Sequence, residues 1–161
     1  MESCIVKFFE RYPQYARFTN LTTNATVSVS STVQECPVAH LLDGNPHTFW
    51  QSDYINPHTI DINLGVWSSV RYLCYLPVSH DLSYAPSVVH VRLGPAPDHW
   101  TSITSKEDCS QSDWEIIELP SNISKDVQLF VSYNYGQGKN CRVAQILLLG
   151  DPVMDENDIL C

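Results

Sequence analysis

Between Leu41 and Gly65 the chain changes its pattern of polar and apolar positions. Ile60, Ile62 and Leu64 alternate with Asp61 and Asn63, and that period of two predicts a half-buried strand. The segment before it, holding Asp43-Gly44-Asn45-Pro46, Thr48-Phe49-Trp50 and Ser52-Asp53, is rich in turn formers and predicts a loop at the strand's mouth. Trp50 in that loop is expected to plug the top of a core, because an indole is costly to leave wet. Upstream, Ile5, Phe8, Phe9 and Tyr12 recur at helical spacing, so Glu2 to about Tyr15 reads as a short helix that Pro13 brings to its end. Its apolar stripe is expected to pack on the domain.

The remaining periodicity is that of strands. Residues 18–33 read as one strand rich in Thr, Val and Ser, and residues 70–78 as an apolar strand. The loop 80–87 leads into Val89, Val91 and Leu93, which alternate with His90 and Arg92. Residues 98–113 are polar and read as a solvated connection. Two more strands follow, Trp114 to Leu119 and Val127 to Tyr133, with Val127, Leu129, Val131 and Tyr133 placed on one face. A glycine-bearing loop, 135–140, precedes a last apolar strand, Arg142 to Leu149. Many short strands with turns between them and one terminal helix predict an all-β sandwich, and a jelly roll suits the number of strands.

Composition narrows the function. A length of 161 residues suits one domain. The expected division is an N-terminal helix over 1–18, the β-sandwich over 19–151 and an acidic tail or linker over 152–161. A net charge of -9 argues against a nucleic-acid or anionic-membrane partner, since either calls for a basic surface. No apolar run approaches the length of a membrane span, and MESCIVKFFERY is not a signal peptide. Six cysteines at irregular spacing and three sequons, at Asn20, Asn24 and Asn122, admit a secreted disulfide-bonded reading. The absence of a leader favours reduced thiols instead, used as small core residues. The expected location is cytoplasmic, nuclear or both.

Catalytic and metal signatures do not emerge. His40, His47, His58, His80, His90 and His99 are scattered, without the spacing that puts two imidazoles on one metal, and each reads as a surface or loop residue. No nucleophile motif and no complete phosphate loop is visible. The chain therefore reads as a binder with no catalytic residue, no metal and no cofactor.

Three segments in order carry a resemblance. Leu42-Asp43-Gly44-Asn45 with Thr48-Phe49-Trp50-Gln51-Ser52-Asp53 and Pro57-His58 is the first. Asp81-Leu82-Ser83-Tyr84-Ala85-Pro86-Ser87 with Val91-Arg92-Leu93-Gly94 is the second, and residues 138–146, GKNCRVAQI, are the third. Over roughly residues 24–150 this pattern resembles the DOC (Doc1/Apc10-like) domain of ubiquitin ligases. The resemblance implies a galactose-binding or discoidin-like jelly roll and a non-catalytic role in capturing a substrate's degron. It also implies protein partners: a peptide or protein substrate, and other domains or subunits of a ligase. Arg142 and Ala144 stand where the family often has a His and a second basic residue, and the tail lacks the Ile-Arg terminus of the separate subunit. Both departures point to a domain of a multi-domain ligase. Loops at one end of the sandwich are the expected binding surface, with Asp43, Ser52, Asp53, Tyr54, Asp81, Ser83, Tyr84, Gln137, Lys139, Asn140 and Arg142 as its residues. The alternative from another class is a secreted discoidin-like module for carbohydrate or lipid.

Overall fold

The structure is a computed structural model, and it describes residues 3–136 and 138–153. In chain order it has helix α1 (Cys4–Arg11) and strands β1 (Thr19–Asn20), β2 (Thr26–Val29), β3 (Trp50–Gln51), β4 (His58–Pro77), β5 (Pro86–Leu93), β6 (Thr101–Lys106), β7 (Glu115–Glu118), β8 (Ser124–Asn134) and β9 (Arg142–Pro152). The result is an antiparallel jelly-roll sandwich, as the strand pattern predicts. What couples its two layers is β4. Its first half pairs with β2 and β8, and its second half pairs with β7 and β9. Between the halves the register slips from Asn63 to Ser68, around Gly65 at a φ of +79° that a residue with a side chain rarely adopts. The two strands expected at 60–64 and 70–78 are thus one bent strand.

One face of each half of β4 fills the core between the layers. Ile60, Ile62 and Leu64 meet Val70, Leu73 and Tyr75 there, with Leu129, Val131, Ile146 and Leu148 from the neighbouring strands. The opposite face of β4 and β9 carries Cys74, Leu147 and Leu149, and Phe8 of α1 covers it. Burial on both faces is why β9 is apolar almost without interruption. The helical stripe docks on its own domain as expected, and Trp114 closes the cluster with its ring 5.0 Å from that of Phe8.

Helix α1 is shorter than its apolar pattern suggests. It starts at an N-cap, where the Ser3 hydroxyl accepts a hydrogen bond from the Ile5 amide at 3.1 Å, and it stops before Pro13. Replacing Ser3 by alanine is expected to cost about 1 kcal/mol, read as a small drop in the urea midpoint.

Three other expectations change. Residues 18–33 hold two short strands, β1 on β9 and β2 on β4. The polar stretch 98–113 contains β6, an edge strand paired with β5, in which only Ile103 packs against the core, so no alternation of apolar residues marks it. Tyr133 does not follow Val127, Leu129 and Val131 inward but stands 63 % exposed, paired with Val88 between two register shifts of β5 against β8. No helix among the described residues is long and apolar enough to cross a membrane.

Candidate functional site

The loops at one end of the sandwich meet in a rim, and the hydrogen bonds that join them show how. Ser52 is fully buried; its hydroxyl accepts from the Cys141 amide at 2.8 Å, and its own amide donates to the Cys141 carbonyl at 2.9 Å. The loop after Trp50 and the loop before β9 are thereby tied together. Gly136 donates its amide to the Ser83 carbonyl at 2.7 Å, and the Asn134 side-chain amide donates to the carbonyls of Ser83 and Asn140 at 3.2 Å each. These bonds attach the loop 81–85 to the same place. A third segment joins where the Asp53 amide donates to the Ser31 hydroxyl at 2.9 Å.

Arg142 lies at the middle of the rim. Its guanidinium stacks 3.8 Å from the centre of the Tyr84 ring and 4.9 Å from that of Phe49, and its Nε donates to Gln51 Oε1 at 2.7 Å. Stacking and one fixed bond orient the planar group while its outer N–H groups stay available. On the joined loops, Asp53, Tyr54, Asp81 and Lys139 are exposed, and Asn140 is half-buried. The Ser83 hydroxyl and amide both donate to Asp81 Oδ1, at 2.8 and 3.2 Å. Those two bonds hold the Asp81 carboxyl below its ordinary range, with Arg142 and Lys139 adding a smaller pull in the same direction. The rim thus presents carboxylates and cations side by side, with an aromatic floor between them.

Two of the expected residues occupy bracing positions. Ser52 offers no surface, as its burial shows. Asp43 is exposed, but both its oxygens are engaged: Oδ1 accepts from the Gln145 side chain at 2.6 Å and the Asn45 amide at 2.9 Å, and Oδ2 accepts from the Thr48 hydroxyl. It steadies the loop against which α1 starts, where the Cys4 amide donates to the Gly44 carbonyl. The Cys4 thiol beside it is pushed up to about 11, mainly by burial and then by the Asp43 charge. Gln137 lies outside the described residues.

Comparisons with known proteins fix the family. The family model described as "Anaphase-promoting complex, subunit 10 (APC10)" matches residues 6–160, nearly the whole chain. The chain belongs to the APC10 family. The human protein named anaphase-promoting complex subunit 10 is 32 % identical over 130 residues, covering 77 % of this chain and 70 % of the relative. The DOC1 subunit of the same complex from Saccharomyces cerevisiae is 31 % identical over 144 residues, covering 83 % of this chain and 56 % of the relative. Among solved structures, a CBM32 module from Clostridium perfringens in complex with GalNAc-β-1,3-galactose superposes with a TM-score of 0.73 at 15 % identity, over 81 % of this chain and 99 % of that one. A family 32 CBM of NanJ from the same organism, in complex with galactose, has a TM-score of 0.71 at 14 % identity, over 82 % and 98 %. At such identity these two share the fold and nothing more.

In this APC10-family chain, sequence reasoning passed over three rim residues, Phe49, Gln51 and Asn134. Phe49 and Gln51 flank Trp50 in the first motif, and only the fold brings them to Arg142. Asn134 closes a strand and gives no periodic signal. His58 is the clearest correction among the histidines: it is buried beneath the rim and not a surface residue, with Nε2 3.5 Å from the Ser52 hydroxyl. Burial lowers its affinity for a proton, and a hydrogen bond to the Lys139 backbone only partly offsets this. The unfolded chain, with its imidazole at the ordinary 6.5, therefore binds the proton more readily. Stability contributed by neutral His58 is complete above that pH and is lost as pH falls from about 6.5 towards the lower folded value. Urea midpoints measured from pH 7.5 down to 5.5 should fall, and His58→Gln should flatten that slope.

The cysteines and sequons also settle into the core and turns. Cys4, Cys36, Cys74, Cys109 and Cys141 are free thiols, and all except Cys36 are buried. The Asn122 side chain donates to the carbonyls of Val70 and Pro120 at 2.8 Å each, so its amide nitrogen is committed to holding a turn.

Proposed function

We propose that this chain is a non-catalytic recognition subunit of a ubiquitin ligase of the anaphase-promoting complex type, and that a degron peptide or protein surface binds at the rim centred on Arg142. Family membership supports the ligase setting. The observation that carries the binding reading is the guanidinium of Arg142, held over the rings of Phe49 and Tyr84 close to the charges of Asp81 and Lys139. Arg142 and Lys139 can donate to a peptide's carboxylates and carbonyls, and Asp53 and Asp81 can accept from its basic groups. Such recognition breaks no covalent bond, and the chain's work is to hold a substrate near chemistry done by other subunits. Those subunits are its other partners, in the cytoplasm, the nucleus or both. The relatives' setting is a subunit of the complex; a larger multi-domain ligase is the other setting in which the same rim would serve.

Fluorescence polarisation of labelled destruction-box peptides tests the reading. Arg142→Ala is expected to weaken binding by about tenfold or more, and Asp53→Ala by several-fold, in line with a desolvated anchor and a more exposed charge. Equal binding by wild type and both variants, or none by wild type, would remove the site.

A further inference from the structure

Beside the rim lies a groove of about 700 Å³, walled by Ile55, Val88, Tyr133 and Tyr135, with Asp108 at its edge and Gly138 open to it. Two features set it apart from an ordinary surface furrow. Ile55 and Tyr133 are 59 and 63 % exposed, and they line one depression from two different elements. Asn134, whose amide holds Ser83 and Asn140 in the rim, is also part of the groove wall, so rim and groove share a residue and form one continuous surface.

The charge at the groove indicates the kind of occupant. Asp108 is the one acidic residue of the lining, and no cation lines the groove with it. It sits at a φ of +52°, in the bend that follows β6, and neither a hydrogen bond nor an ion pair engages its carboxylate among the described residues. Asp tolerates this left-handed backbone better than most residues, and Asp108 is exposed where it lines the groove. An apolar trough with a carboxylate at its edge complements an aliphatic or aromatic side chain followed by a basic one. A lipid headgroup or nucleic-acid strand would meet the wrong charge.

We infer that the groove is a second subsite for the same peptide chain that engages the rim: it takes a non-polar side chain against Ile55 and Tyr133 and a Lys or Arg at Asp108. This rests on the rim being a peptide site. The groove adds specificity for residues flanking the part of the ligand that Arg142 holds, much as an apolar pocket beside a polar anchor divides the work in other peptide readers.

A random twelve-residue peptide library displayed on phage, selected on the whole chain, tests the inference. Peptides enriched by wild type are then measured against three variants: Ile55→Ser with Tyr133→Ser, Asp108→Asn, and Arg142→Ala. Expected are peptides with a non-polar and a basic residue close together, which lose about tenfold affinity for the groove double variant, several-fold for Asp108→Asn, and about tenfold for Arg142→Ala. Loss with Arg142→Ala alone overturns the groove and leaves the rim reading standing. Loss with the groove variants alone overturns a shared ligand and the rim reading with it, and selection of no peptide overturns both. Since Ile55, Tyr133 and Asp108 do not belong to the buried core, the variants should keep the wild-type thermal midpoint. If the double variant does not, the single Ile55→Lys replaces it, with the same loss expected.

Discussion

Trp50→Ala is expected to be among the most destabilising single substitutions in the chain. The indole is fully buried in the central cluster, and its Nε1 donates to the Ser31 carbonyl at 3.0 Å. Removing it leaves a large cavity and an unpaired carbonyl, at a cost of about 3–5 kcal/mol. A domain of this size has a total stability of about 5–15 kcal/mol, so a substantial share of the margin disappears. The urea midpoint should fall steeply with an unchanged m-value, and a shift below about 1 kcal/mol would show that the plug is dispensable. The variant should lose peptide binding as well, because Ser31 is the anchor for the Asp53 amide. Trp50→Phe, which keeps most of the apolar volume, should lie well between wild type and alanine.

A single added methyl group should do comparable harm at Gly150. A Cβ there would overlap the carbonyl oxygen of Ser69 on β4 and press on a Leu21 methyl at 3.1 Å. The obstacle is backbone in the middle of the β4–β9 pairing, where Gly150 faces Val70 on one side and Thr19 of β1 on the other. Such a clash cannot be relieved by turning a side chain, so the strands must part. Gly150→Ala should cost about 3 kcal/mol or more, at the upper end of overpacking effects. Gly138→Ala is the control, since nothing lies within 4 Å of its added Cβ and only the positive φ of +76° opposes it. That substitution should cost about 1–2 kcal/mol. Equal thermal midpoints for the two variants would argue against a close approach at Gly150.

How far the sequence reached varies from strand to strand. Ile60, Ile62 and Leu64 alternate because one face of β4 is dry and the other wet, and that pattern reads directly. The buried β9 reads as strand because both of its faces are covered. Where a single side chain reaches the core, as Ile103 does in β6, the chain shows no alternation, and the pairing with β5 supplies the strand's backbone partners. The bend in β4 escapes notice for a similar reason: the register slip around Gly65 is a property of the pairing with β8. The rim follows the same division. Asp53, Asp81, Tyr84 and Lys139 stand in polar loops that announce themselves as surface, and Asp81, Tyr84 and Lys139 meet Arg142 at the start of β9. Ser52 and Asp43 look the same in sequence, yet their oxygens are spent on the Cys141 amide and the Gln145 side chain. Exposure and hydrogen-bond satisfaction depend on which strands are adjacent, and short polar residues are the ones that serve either purpose.

The β-sandwich, its N-terminal helix and three polar loops of APC10-family type are thus written in local pattern. Hydrophobic periodicity and turn chemistry are local properties, and they act wherever the chain folds. That the Arg142 guanidinium lies over two aromatic rings from distant loops, that His58 is dry, and that Ile55 and Tyr133 wall one groove follows from the packing of strands. Each of these is a meeting of residues far apart in the chain, fixed by strand order and register, and no local pattern encodes such a meeting.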